Sequence, residues 1–109
     1  MARAIENLQG SLELLILKTL EGGPNHGFGI TSHIHAASEG LLEIEEGSLY
    51  PALHRLEKAK LIAGSWRVTQ NGRRARVYAL TAIGRRRLTE VRNNWRIVAK
   101  GVKKVLRFA

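Results

Sequence analysis

The sequence predicts a mainly α-helical fold carrying a small two-stranded β-wing, a winged helix-turn-helix unit followed by one long carboxyl-terminal helix. Three observations lead there. Apolar residues keep a helical period through residues 11–60, alternate with a period of two between residues 62 and 80, and return to helical spacing after Thr81. The two alternating runs are joined by Asn71-Gly72, a dipeptide that favours a hairpin. A two-stranded ribbon is not stable alone, so it must pack on the helices that precede and follow it.

The elements follow in order. Ser11 can cap a first helix whose Leu12, Leu15, Ile16 and Leu20 share one face, while Leu14 and Leu17 fill others. Such a helix is apolar nearly all round and should be buried on two sides. Gly22-Gly23-Pro24 ends it. Asn25 is expected to cap a second helix running to about Glu39, with Ile30, Ile34 and Ala37 inward and Gly40 as its stop. A third helix lies within residues 45–60, with Leu49, Leu53 and Leu56 as its apolar face. Pro51 sits in that rhythm and would cost about 3 kcal/mol in a helix interior, but little in a first turn. A start at Ser48 makes the proline cheap; a start near Glu45 sets it against the Gly47 carbonyl with a slight kink. In the first strand Ile62, Gly64, Trp66 and Val68 share one side, and Arg74 to Leu80 returns as the second. Thr81 then caps a helix without proline to about Phe108.

The charge is unevenly placed. Residues 1–54 hold two basic and seven acidic side chains, whereas residues 55–109 hold sixteen basic and two acidic, which gives half-chain balances of −5 and +14 within a net +9. A concentrated excess of this kind suits a polyanion, nucleic acid before a membrane surface. The chain has no cysteine, so disulfides and thiolate metal sites are excluded. The longest purely apolar run, Leu14 to Leu17, is far short of a membrane span, and the expectation is a soluble cytoplasmic protein with no membrane partner.

With the apolar face of the third helix turned to the core, Ser48, Pro51, His54, Arg55 and Lys58 are left on or near its outer side. Ser48 and Tyr50 stand toward its amino end, where free N–H groups and the helix dipole favour a phosphate. The wing turn from Gln70 to Arg76 carries Arg73, Arg74 and Arg76. Three arginines there repel one another but pair well with phosphates or a narrow minor groove. Basic helix and basic hairpin together point to double-stranded DNA.

The same residues resemble a family. GSLYPALHRLEKAKLI, followed by NGRRARVYALTAIGRRRL and preceded by HGFGI, is similar to the PadR family of bacterial transcriptional regulators over about residues 9–106. The resemblance implies a cytoplasmic dimer that binds operator DNA, usually represses, and often releases on sensing a small molecule. It implies phosphate contacts from Ser48 and Tyr50, groove-facing positions for His54 and Arg55, and wing contacts from Arg73, Arg74 and Arg76. The family usually has tyrosine where Phe28 stands, and often where Val77 stands.

The last helix supplies the expected dimer interface. Leu88, Val91, Trp95, Val98, Val102 and Val105 are spaced 3, 4, 3, 4 and 3 residues apart, a heptad seam. The division expected is residues 1–80 for the DNA-binding unit and residues 81–109 for the dimerisation helix. Trp95 either fills the core or frames a cleft for a planar aromatic effector between two chains, and the resemblance implies effectors near such an interface. His33 and His35 share no helix face, and His26 and His54 lack a partner at ligand spacing, so neither metal nor cofactor is expected. There is no nucleophile elbow or phosphate-binding glycine loop, and an enzyme is not expected. The leading function is a DNA-binding regulator, a repressor acting as a homodimer on a pseudo-palindromic operator. The alternative is a basic winged module that binds RNA or protein without operator specificity.

Overall fold

In the computed structural model of the chain, the backbone is described for residues 2–107 and the side chains for residues 11–107. The elements are α1 (Ala2–Glu21), β1 (Asn25–His26), α2 (Gly27–Ala37), α3 (Glu46–Lys58), β2 (Ile62–Val68), β3 (Arg74–Leu80) and α4 (Ala82–Leu106). The sheet order is β1-β3-β2, antiparallel throughout. The core is formed by Leu12, Ile16, Leu17 and Leu20 of α1 against Ile30 and Ile34 of α2 and Leu49, Leu53 and Leu56 of α3, closed by Ile62, Tyr78 and Leu88. The expected role of α1 is met: it packs on α2, α3 and α4.

Several boundaries differ from the sequence reading. Ser11 lies inside α1 and is not its cap, because residues 2–9 are mostly good helix formers and Gly10 alone does not break the run. Asn25 is not the cap of α2 either. It pairs with Tyr78 as a strand residue, its side-chain Oδ1 accepts the His26 N–H at 2.9 Å, and His26 caps the helix through Nδ1, which accepts the Gly29 N–H at 3.0 Å. The two-stranded ribbon thus gains a short third strand at its base. Helix α2 stops at Ala37, which is exposed, and Glu39 takes the left-handed turn at φ 55° just before Gly40. Only Gly72 adopts positive φ in the wing turn, where the Thr69 N–H donates to the Arg73 carbonyl at 2.7 Å and closes a three-residue loop. Trp66 and Val68, grouped by alternation with Ile62, are exposed because the far half of the hairpin extends past the helices.

Helix α4 begins as expected at a Thr81 cap, whose hydroxyl oxygen accepts the Gly84 N–H at 3.0 Å. It ends at Leu106 with Arg107 left-handed; Phe108 lies outside the described residues. Its anchorage is tight. The Leu61 carbonyl accepts the Thr81 N–H at 3.1 Å, and a methyl group on buried Gly84 would collide with that carbonyl. Leu61 itself connects the end of α3 to the start of β2.

Candidate nucleic-acid interface

Helix α3 resolves the proline question in favour of the earlier start. Glu45 is the N-cap and Pro51 lies within the helix. The proline leaves the Gly47 carbonyl without its usual donor, at an exposed residue where water can serve instead. Leu49, Ala52, Leu53 and Leu56 are buried, and Ser48, Pro51, His54, Arg55 and Lys58 are exposed, as the period requires. No side chain caps the amino end. The Ser48 N–H already donates to the Glu45 carbonyl at 3.0 Å, and Glu45 and Glu46 bring negative charge there. Ser48 and Tyr50 therefore offer side-chain hydroxyls rather than free backbone amides. Tyr50 leans over the start of α2, where a methyl group at Gly27 would stand 2.8 Å from its hydroxyl.

The wing arginines divide. Arg73 lies in the turn, exposed. Arg74 and Arg76 belong to β3, on the face they share with Tyr78 and Leu80 and with Trp66 of β2. Their guanidinium carbons lie 5.0 and 5.5 Å from the Trp66 ring centroid, so both charges make cation–π contacts with one indole. Arg76 is also held from below: its Nη2 donates to Glu57 Oε2 at 2.6 Å, and the same carboxylate oxygen accepts the Gly64 N–H at 3.2 Å. Glu57 of α3 thus fastens both strands of the hairpin to the helix. Sequence reasoning did not single out Glu57 or Trp66. The available signal was that Glu57 is the one carboxylate from Arg55 to Arg87, a stretch with ten basic residues.

Between α3 and the wing lies an open cleft of about 560 Å³ lined by Tyr50, His54, Glu57, Lys58, Arg76 and Tyr78. Four of the six are residues singled out for DNA contact. Burial of the Tyr78 ring, and then the neighbouring Glu57 carboxylate, push its phenol above the ordinary tyrosine range. The phenol therefore stays protonated at neutral pH beneath the surrounding charges.

The expected seam on α4 also divides. Leu88 is 1% exposed and belongs to the chain's own core, so it has no surface left for a partner. Val91 is half-buried against α1, whereas Trp95, Val98, Val102 and Val105 are 45, 42, 49 and 82% exposed. At 25 residues the helix is about 37 Å long and outruns the domain that supports it. Alongside α1 it forms a groove of about 750 Å³ whose apolar walls include Leu14, Val91, Trp95, Val98 and Val102. Ion pairs from Arg87 to Glu13 (3.2 Å) and from Arg92 to Glu21 (3.8 Å) join the two helices. Among the described residues no group of histidine, aspartate and glutamate side chains is arranged to hold a metal, and no helix is long and apolar enough to cross a membrane.

Comparison with known proteins agrees with this architecture. The profile of the transcriptional regulator PadR-like family matches residues 16–90. A transcriptional regulator of Mycobacterium tuberculosis is 35% identical over 94 residues, covering 86% of this chain and 84% of that protein. Among solved structures, a transcriptional regulator from Clostridium thermocellum superposes with a TM-score of 0.83 at 26% identity, covering 91% of this chain and 96% of that one. A PadR family transcriptional regulator from Eggerthella lenta superposes with a TM-score of 0.78 at 30% identity, covering 99% of this chain and 93% of that one.

Proposed function

Because the chain belongs to the PadR-like family of transcriptional regulators, we propose that it acts as a homodimeric repressor on a pseudo-palindromic DNA operator. Helix α3 enters the major groove with His54 and Arg55 toward base edges, while Ser48, Tyr50 and Lys58 meet flanking phosphates. The wing lays Arg73, Arg74 and Arg76 along the neighbouring backbone or minor groove. The observation that carries this reading is the convergence of Tyr50, His54, Lys58 and Arg76 on one cleft between α3 and the hairpin. The dimer is made by the seam beyond Leu88, half-buried Val91 and exposed Trp95, Val98, Val102 and Val105, with residues 1–80 as the DNA-binding unit and residues 81–109 as the dimerisation helix.

Selection of bound sequences from a random duplex library tests the whole reading. Two related half-sites about one helical turn apart are expected. Enrichment of a single unsymmetrical site, or of none, overturns it.

A regulatory reading is favoured by Trp95, which lies 45% exposed in an apolar groove. A planar aromatic effector seated there would press on α4, whose cap Thr81 is hydrogen-bonded to the Leu61 carbonyl three residues after the end of α3. Movement of one helix thus reaches the other through the short link of residues 59–61. Saturable quenching of Trp95 fluorescence should accompany weaker DNA binding, with DNA weakening the compound by the same factor. Quenching without change in DNA affinity refutes the switch.

A further inference from the structure

Helix α4 carries a second concentrated charge that the α3–wing surface does not use. Arg92, Arg96, Lys100 and Lys104 stand at successive i, i+4 positions, with Arg85 and Lys103 beside them. On a helix these six span an arc of roughly 120° whose centre lies well away from the Trp95–Val102 seam. Arg92 is half-buried and reaches Glu21 at 3.8 Å, Arg85 lies near the same carboxylate, and Lys103 borders the α1 groove; Arg96, Lys100 and Lys104 are exposed and form no ion pair among the described residues. A solvated helix face ordinarily mixes signs, because like charges at i, i+4 destabilise a helix about as much as opposite charges support it. Three such repulsive steps follow one another here, at 92/96, 96/100 and 100/104. An external polyanion removes that repulsion.

The character of the face selects among polyanions. It runs about 28 Å from Arg85 to Lys104, close to the length of eight base pairs, along a straight line. No aromatic side chain lies within the arc, so the stacking that holds single-stranded RNA is missing. A helix lying on a membrane sinks its apolar side into lipid, but the apolar side of α4 borders the α1 groove and is the seam assigned to the partner chain. What remains is a regular row of phosphates. We assign this row to a duplex other than the one held by α3 and the wing, because α4 packs chiefly on α1 rather than on α3 or the hairpin. We propose that the outward face of α4 is a second surface for duplex DNA, through which a dimer seated by α3 and the wing holds another DNA segment. The proposal rests on the assignment of α3 and the wing to the first duplex.

The test uses the full chain loaded on an immobilised duplex, followed by a fluorescent duplex of unrelated sequence. Wild type is expected to retain the second duplex. The triple variant Arg96→Gln, Lys100→Gln, Lys104→Gln should load on the first duplex within about twofold of wild type, yet retain the second at least tenfold less, since a dimer loses six phosphate contacts. Its melting temperature should match or exceed that of wild type, because the repulsive steps are gone; Lys100→Arg with Lys104→Arg should still retain the second duplex. Failure of wild type to retain it, or retention by the triple variant at the wild-type level, overturns the proposal. So does displacement of the second duplex by single-stranded RNA or phosphatidylserine vesicles at lower phosphate concentration than by duplex DNA. Arg73→Ala with Arg74→Ala reports separately: loading of that variant on the first duplex at wild-type strength refutes the α3–wing assignment itself.

Discussion

Neutralising Glu57 should loosen the wing and at the same time strengthen indiscriminate DNA binding. The carboxylate oxygen serves two donors, the Arg76 guanidinium at 2.6 Å and the Gly64 N–H at 3.2 Å. The ion pair is about one-third exposed on both sides, so solvent screening leaves it worth about 1 kcal/mol rather than the 3 kcal/mol of a buried pair. Glu57→Gln keeps a neutral acceptor and the helix propensity, so the expected stability loss is about 1 kcal/mol, or a fall of roughly 4–8 °C in melting temperature for a domain this size. On DNA the balance differs. A carboxylate about 7 Å from a phosphate opposes binding by roughly 0.6 kcal/mol in water, and its removal also frees Arg76 for a phosphate of its own. Affinity for arbitrary duplex should therefore rise two- to threefold, and the logarithmic salt dependence should steepen by about 0.9 per protomer. The ratio of operator to arbitrary affinity should fall, since an unfastened hairpin no longer presents its arginines in one register. Titration at several salt concentrations, with hydrogen exchange at the Gly64 amide, reads all of this. An unchanged salt slope together with unchanged exchange would show that the Glu57–Arg76 pair holds nothing, and the clamp argument would fail.

Four further outcomes are expected. Lys60 follows α3 with φ 64°, and its neighbours close a Schellman turn through Leu61 N–H to the Leu56 carbonyl at 3.0 Å; Lys60→Gly should stabilise by about 1 kcal/mol in denaturant melts, and no gain would mean the left-handed turn is unstrained. The raised Tyr78 phenol favours the folded state below the ordinary tyrosine pKa of about 10 and loses that contribution as pH climbs through its higher folded value, so alkaline destabilisation should shrink in Tyr78→Phe; identical alkaline profiles would contradict the burial argument. Trp95→Glu with Val98→Glu should give monomers in sedimentation, because a two-fold interface sets these carboxylates among like charges; an intact dimer would place the interface elsewhere. Arg73→Ala should weaken all duplexes alike, whereas Arg55→Ala should relax preference at one base position, and the reverse pattern in binding-site selection would exchange the roles of wing and helix.

The parts of this molecule that were legible in the sequence are those whose signal repeats. Leu49, Leu53 and Leu56 recur with the helical period, so the buried side of α3 and the exposure of His54, Arg55 and Lys58 followed together. The strands β2 and β3 were legible for the same reason, and the Thr81 cap because a hydroxyl residue stands where the helical period resumes. The two residues of β1 have no period to show; they become a strand only because Val77 and Tyr78, more than fifty positions later, present free backbone groups beside them. Leu88 matched the heptad seam and still belongs to the core, because spacing cannot tell which turns of a long helix its own domain covers. Arg76 shows the limit most clearly. Alternation puts it on one face with Tyr78, but that this face looks at Glu57 depends on how the hairpin packs across α3. A charge read from sequence is only a charge; whether it is free for a phosphate or already held by a carboxylate is decided by that packing. Here the arginine held by Glu57 and two that form no ion pair among the described residues lie on the same hairpin, Arg76 beside α3 and Arg73 and Arg74 beyond it.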